Sequence, residues 1–271
     1  MIYYQSLHNH STFDDGKCTP GEMARAAAEA GLTGFGLTAH SHMEGEAWTV
    51  APERLADFRE ELKRLRDVYA GRMEVWCGVE YDLTSDPSWL SGFDYVIASV
   101  HALRTEKGLW AVDDNRERSR RMIVLAFDGD ADAAAEAYFA QVKEIARLPE
   151  AAVVGHFDII TKFDEPEPLY NECSPRYRAA ALDAMGALVR AGKIFEINTG
   201  AVSRGYRTAP YPGPELLRAL REMGGRITIT ADAHDAKNVC FGFAEAERLA
   251  REAGFDALWL FDGTGFSPQN L

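Results

Sequence analysis

Apolar residues along this chain fall into short runs set between longer stretches of helical spacing. The runs are Tyr3–Leu7, Gly34–Leu37, Glu74–Val79, Tyr95–Val100, Ala152–Val154, Lys193–Ile197, Arg226–Thr230 and Ala257–Phe261. They are rich in Val, Ile, Phe and Trp, as buried strands are. Thr19-Pro20-Gly21-Glu22 has the form of a capping box with proline at the first helical position. It predicts a helix that runs to about Ala30 and stops at Gly31. Pro52–Tyr69 spaces Leu55, Phe58, Leu62, Leu65 and Val68 along one helical face. Further helices are predicted at about Ala131–Arg147, Pro175–Ala191, Pro214–Met223 and Phe243–Ala253. Alternation of this kind predicts a parallel sheet closed into a barrel.

The longest gap lies between the fourth and fifth runs. Within it, Asp113–Asp130 joins a charge cluster, DDNRERSRR, to an apolar segment, MIVLAF. An inserted helical excursion is expected there, either a covering helix or a lid or oligomer contact.

The 271 residues, 46% apolar and 26% charged, suffice for one large α/β domain with a sizeable core. No apolar run approaches the roughly 20 residues that span a bilayer. The opening MIYYQSLHNH has neither the basic nor the apolar region of an export signal, so a cytoplasmic protein is expected. Cys18, Cys77, Cys173 and Cys240 are far apart, form no CxxC and read as reduced thiols. A net charge of −13 argues against long nucleic acids, which are bound by Lys and Arg stripes. It leaves room for a small anionic substrate, because cations can invert the charge of a local site.

The chemistry is carried by histidines. Six of the seven sit at or just past the end of a predicted strand: His8 and His10 after YYQSL, His40 ending GFGLTAH, His101 ending YVIASVH, His156 ending AAVVGH, and His234 ending ITITADAH. In a parallel barrel those ends converge on one face, where active sites lie. His8 and His10, two apart on a strand, share a face. Asp232 and His234 repeat that spacing, Glu80 ends VWCGVE, and Asp15 lies in the first loop. Imidazole and carboxylate donors together predict a polynuclear centre of zinc, iron or manganese. His8, His10, Asp15, His40, Glu80, His101, His156, Asp232 and His234 exceed what two ions need. Three divalent ions with one bridging carboxylate are expected.

HNHSTFDDG, LTAHS, GVEYD, SVHAL, GHFDI and TADAH resemble, in that order, the motifs of the PHP (polymerase and histidinol phosphatase) family, over nearly the whole chain. The resemblance implies a distorted (β/α)7 barrel with a trinuclear site at the C-terminal face of its strands. It implies a single domain over 1–271 with a helical insertion at about 105–147. It also implies the ligand sets: His8, His10, Glu80 and Asp232 for one ion, Glu80, His101 and His156 for the second, Asp15, His40 and His234 for the third.

GHFDIITKF is similar to the histidinol-phosphatase branch, in which Lys162 would meet the substrate phosphate. In EINTGAVSRGYRTAPYPGPELL, Arg204 is the first phosphate-binding candidate and Arg207 the second. The implied activity is metal-dependent hydrolysis of a small phosphomonoester, L-histidinol phosphate first. Nucleotides, oligonucleotide ends, phosphotyrosine and a non-catalytic metal-binding role are the alternatives. His42 is a candidate acid or phosphate donor, or else a loop histidine, and Asp232 is expected to serve catalysis as well as metal binding. Asp14 reads as a turn residue. Asp158 and Glu196 read as residues orienting the site or as structural groups, Asn198 as a hydrogen-bond partner of substrate or of the 196–200 turn, and Tyr206 and Tyr211 as pocket walls or rim cover. No membrane partner is expected, and the chain is expected to be a monomer or small homo-oligomer.

Overall fold

The computed structural model describes residues 5–165 and 167–271. Tyr3 and Tyr4, the start of the first apolar run, lie outside them. Strands β1 (Gln5–Ser6), β2 (Gly34–His40), β3 (Glu74–Asp82) and β4 (Tyr95–Ser99) lie side by side in chain order. An antiparallel hairpin, β5 (Ala102–Thr105) and β6 (Gly108–Ala111), leaves the sheet, which resumes with β7 (Ala151–Val154), β8 (Ile194–Asn198) and β9 (Arg226–Thr230). All seven sheet strands are parallel. The edges meet through a bridge between Asn9 and Ala233, with His10 N donating to Ala233 O at 2.9 Å. The result is a nearly closed barrel of seven parallel strands: the alternation foretold a barrel, and the family resemblance the number of its strands.

The helices cover the outside. They are α1 (Pro20–Glu29), α2 (Leu55–Tyr69), α3 (Arg116–Ala126), α4 (Ala131–Lys143), α5 (Pro175–Arg190), the single turn α6 (Gly200–Ser203), α7 (Pro214–Glu222) and α8 (Phe243–Glu252). The capping box is formed: Glu22 N donates to Thr19 Oγ1 at 3.3 Å and Thr19 N to Glu22 Oε2 at 2.8 Å. The chain turns out of α1 at Gly31, φ +80°. No helix among the described residues is long and apolar enough to cross a membrane, and the four cysteines are free.

Two features differ from the pattern reading. The segment after β4 opens with the β5–β6 hairpin before its helices begin. The eighth apolar run is not a barrel stave: β10 (Ala257–Phe261) pairs antiparallel with β11 (Phe266–Asn270). This hairpin plugs the N-terminal mouth of the barrel. Phe261 packs with Leu7, Trp76, Tyr95, Ile97, Val153 and Ile194, residues at or near the starts of the staves. Gln5 ties it in, donating to Phe261 O at 2.6 Å and accepting from Phe261 N at 2.8 Å. Inside the barrel Tyr95 donates to Leu7 O. Its ring occupies the space that a Cβ would need at Gly36 and Gly78. One end of the barrel is thus filled with apolar and aromatic side chains, and the polar residues collect at the other.

Candidate metal centre

Register explains the convergence. Pairing of β2 with β3 sets His40 beside Glu80. The Asn9–Ala233 bridge sets His8 and His10 beside Asp232 and His234. His101 and His156 follow β4 and β7. All these residues except Asp15 and His234 are buried.

Glu80 is the hub. Its Oε2 lies 3.0 Å from His8 Nε2, 3.0 Å from His40 Nδ1 and 3.5 Å from His10 Nε2. Its Oε1 lies 3.3 Å from His101 Nε2 and 2.9 Å from His156 Nε2. The two oxygens therefore face two different sets of imidazoles, as a bridging carboxylate's must. Asp232 Oδ1 lies 3.4 Å from His10 Nε2 and 3.5 Å from His234 Nδ1. Asp15 reaches His234 Nε2 at 3.1 Å and His40 Nε2 at 3.6 Å. Three groups hold their donor atoms within 4.8 Å of one another: His10, Asp15, His40 and His234; His8, His10 and Asp232; His40, Glu80 and His101.

The donor set fits divalent cations. His8 Nε2, His10 Nε2 and Glu80 Oε2 are buried without a hydrogen-bond partner, a costly condition that a shared cation relieves. The opposite imidazole nitrogens are held. His8 Nδ1 donates to Glu196 Oε2 at 2.8 Å, and His10 Nδ1 to Asp14 Oδ2 at 2.8 Å. Carboxylates on the far nitrogen fix ring and tautomer, the usual support of a metal-ligating histidine. Asp14 is thus more than a turn residue, and also accepts from His40 N at 3.0 Å. Glu196 further accepts from His156 N at 2.6 Å, Asn198 Nδ2 at 2.7 Å and Thr230 Oγ1 at 2.9 Å. Asp82, absent from the sequence reading, accepts from His101 N at 2.7 Å.

The electrostatics are those of a dense charge cluster. Burial works against the His8 imidazolium, but Glu196, Glu80 and Asp232 hold its pKa well above the ordinary value. Burial likewise opposes His10, which Asp14 above all pushes up to about 10. His40 goes down to about 4, chiefly through burial, with His10 and His101 repelling its charge. Burial alone would raise Glu80, yet His8, His40 and His101 pull it well below the usual carboxylate range. Asp232 is drawn down against burial by Arg204 and His8.

Asp232 carries backbone strain, with φ +45°, a region non-glycine residues rarely adopt and one often found at functional sites. Gly200 makes room for it, since a Cβ there would come 2.7 Å from Asp232 Cβ and Oδ2.

Beside the cluster opens a cavity of about 560 Å³. Its floor includes Asp15, His40, Glu80, His101, His156, Asp232 and His234, and its walls include Lys162, Arg204 and Tyr206. Arg204 donates to Asp232 Oδ2 at 3.1 Å, Asp232 O at 2.9 Å and His234 Nδ1 at 2.8 Å. It therefore braces two candidate ligands while facing the cavity. The loop after β2 adds Met43, Glu46 and Trp48, which the sequence reading missed. The Trp48 ring lies 4.7 Å from His40 and 5.5 Å from His101, centroid to centroid, and its Nε1 donates to Glu46 Oε2 at 2.7 Å. The segment after β4 adds Leu109, Asp113, Asp114 and Arg118.

Four singled-out residues lie elsewhere. Arg207 is buried behind the wall, donating to Thr161 O at 3.0 Å and stacking at 4.9 Å over Tyr211. It opens onto a second cavity, beside Asp164 and Glu172. Asp158 is buried there too, accepting from Gly213 N at 3.0 Å. Tyr211 is buried, its ring centroid 6.3 Å from that of His156. His42 is half-buried and does not line the active cavity. Arg207 and His42 are therefore not brought to the centre, against expectation.

A model of the PHP domain family matches residues 6–200, most of the chain. The chain belongs to the PHP domain family. It is 30% identical over 248 residues to a Deinococcus radiodurans protein named "Probable histidinol-phosphatase", covering 87% of this chain and 88% of that one. A Schizosaccharomyces pombe protein of the same name is 24% identical, over 92% of this chain and 87% of its own length. Among solved structures, histidinol phosphate phosphatase from Lactococcus lactis, complexed with zinc, L-histidinol and phosphate, superposes with a TM-score of 0.76 at 22% identity, over 97% and 98% of the two chains.

Proposed function

We propose that this chain is a metal-dependent phosphomonoesterase that hydrolyses L-histidinol phosphate to L-histidinol and phosphate. The observation that carries the reading is one cavity whose floor is the histidine–carboxylate cluster and whose wall sets Lys162 and Arg204 near Trp48 and Glu46. A phosphate needs cations, and a flat, cationic organic group suits an aromatic face and a carboxylate. The names of the full-length relatives support the same substrate.

Three ions are proposed: one on His8, His10, Glu80 and Asp232, one on Glu80, His101 and His156, one on Asp15, His40 and His234. When bound, they supply Lewis-acid charge to the phosphoryl oxygens and an acidified water as nucleophile. The remaining work falls to the chain. Glu196 and Asp14 hold His8 and His10 in the tautomer that leaves Nε2 free. Arg204 holds Asp232 and His234 in place and, with Lys162, offsets phosphate charge. Met43, Trp48 and Leu109 add apolar surface to the cavity lining.

The test is phosphate release by metal-replete protein from L-histidinol phosphate and from a panel of nucleotides, sugar phosphates and phosphotyrosine. A kcat/KM of at least ~10⁴ M⁻¹s⁻¹ on histidinol phosphate, well above the panel, is the expected result. Equal weak turnover of the whole panel would overturn the substrate, and no turnover at all would overturn the activity.

A further inference from the structure

We propose that Asp113, supplied by the segment inserted after β4, is a positioning residue for Lys162: it fixes the ammonium group at the cavity wall where the substrate phosphate docks. The inference rests on the phosphomonoesterase reading above and assigns that site a residue outside the histidine–carboxylate pattern.

Lys162 and Asp113 come from different parts of the fold, 49 positions apart. Lys162 Nζ donates to both Asp113 O and Asp113 Oδ2, each at 2.9 Å. Only 14% and 16% of the two side chains are exposed, and both line the active cavity. An ammonium group has three N–H donors. The structure assigns two of them, both to Asp113, so one is left for a ligand in the cavity. The same Nζ sits 5.4 Å from the Tyr206 ring and 5.5 Å from the Phe163 ring. A second tie runs alongside, with Arg116 Nη1 donating to Phe163 O at 2.7 Å.

A lysine on its four-carbon stem is a mobile point charge. Held by two oxygens and two ring faces, it is pre-placed, and a phosphate meets it without ordering it first. The charge is also tempered: Asp113 neutralises Lys162 while the cavity is empty, and the free N–H and the nearby metal cluster decide how the phosphate shares it. Arg204 is held in the same manner by Asp232. Lys162 and Arg204 are therefore each mounted on an aspartate, one from the segment after β4 and one from the barrel, and the third cation of the lining, Arg118, pairs with Asp114 at 2.7 Å.

The experiment compares wild type, Asp113→Asn, Asp113→Ala, Lys162→Met and the double variant Asp113→Ala/Lys162→Met, all metal-loaded with ion content measured. Two readouts are taken: the KM and kcat for the phosphomonoester, and inorganic phosphate binding by calorimetry. Lys162→Met should weaken phosphate binding about 10–100-fold, the worth of a charge-assisted hydrogen bond. Asp113→Ala should weaken it about 10-fold and raise KM more than it lowers kcat. Asp113→Asn, which keeps an acceptor, should recover part of the loss. In the Lys162→Met background Asp113→Ala should add nothing.

An equal loss from Asp113→Ala in both backgrounds would overturn the proposal, as would phosphate binding unchanged by Asp113→Ala. If Asp113→Ala does not fold, the Asn variant carries the same comparison. Failure of wild type to hydrolyse any phosphomonoester would sink the functional reading, while the calorimetric coupling would still report on the pair.

Discussion

Glu196 is the residue whose replacement should separate support of the metal centre from the centre itself. It is buried and donates nothing. It accepts four hydrogen bonds, from His8 Nδ1, Thr230 Oγ1, His156 N and Asn198 Nδ2. Glu196→Gln preserves the shape but replaces one acceptor oxygen with an amide NH2. If the NH2 faces His8 and Thr230, the threonine hydroxyl can rotate and accept. His8 has no such freedom: with a cation bound its proton must stay on Nδ1, and without one the surrounding carboxylates keep the imidazolium, so Nδ1–H needs an acceptor in both states. The amide will therefore turn its oxygen toward His8 and leave both the backbone N–H of His156 and Asn198 Nδ2 facing a donor; Asn198 Nδ2 keeps Asp232 Oδ2 at 3.3 Å, and the His156 N–H keeps no acceptor.

One buried donor left without a partner costs about 1–3 kcal/mol. At about 2–4 °C per kcal/mol, the metal-free Tm should fall by about 2–12 °C. Partners of metal ligands are worth about 10–100-fold in affinity, or ~1.4–2.8 kcal/mol. The assay is zinc competition against a chelator at fixed pH, alongside thermal unfolding of chelator-treated protein. Expected are a 10–100-fold weaker site and a kcat close to wild type once metal is saturating. A lower Tm with unchanged zinc affinity would refute the reasoning, leaving Glu196 as a packing residue that happens to touch histidines.

Arg204, in the wall, and Arg207, behind it, should behave differently: Arg204→Ala should raise KM and also lower kcat, since it frees Asp232 and His234, whereas Arg207→Ala should leave both parameters within a few-fold and lower stability by about 1–3 kcal/mol through the orphaned Thr161 carbonyl. Steady-state kinetics with urea unfolding checks both, and a kinetic defect in Arg207→Ala comparable to that of Arg204→Ala would contradict the placement. Metal-free protein should lose stability as pH rises from about 7.5 toward 10, because His10 binds its proton up to about 10 when folded but only to 6.5 when unfolded, while His40, depressed to about 4, has finished titrating in both states by about 7.5. Zinc affinity should rise over the same interval as the ligands give up protons, so urea midpoints with and without zinc should diverge; a metal-free midpoint that climbs with pH would contradict this. Phe261→Ala, at the plugged end of the barrel, should cost about 3–5 kcal/mol and leave zinc content and kcat of the folded protein unchanged.

How much of this was legible in the sequence depends on whether a residue's place follows from strand periodicity. Eight of the nine candidate ligands are legible because a strand end is a fixed address, while Asp15, in the first loop, has no such address and takes its place from the family resemblance. Two residues apart means one face, and the end of a parallel stave means one rim, so His8, His10, Asp232 and His234 could be put together before any register was known. Arg204 and Arg207 defeat the same logic. They are three apart, but Gly205 between them takes φ +75° and turns the chain, so one reaches Asp232 and the other is carried behind the wall to Thr161. Asp113, Glu46 and Trp48 sit in segments with no repeating geometry, and nothing in their spacing refers to the barrel. Ala257–Phe261 is a subtler case. Its composition is that of a stave, and only closure of the seven others through Asn9 and Ala233 leaves it no edge to join. Periodicity therefore reveals the candidate metal-binding rim and conceals the wall, which is assembled from loops and from the segment after β4. On the proposed function the wall would meet the phosphate through Lys162 and Arg204 and the organic part of the substrate through Glu46 and Trp48. The measurements that discriminate substrates must therefore be aimed at Glu46 and Trp48, and those that probe the phosphate at Lys162 and Asp113, rather than at the histidines.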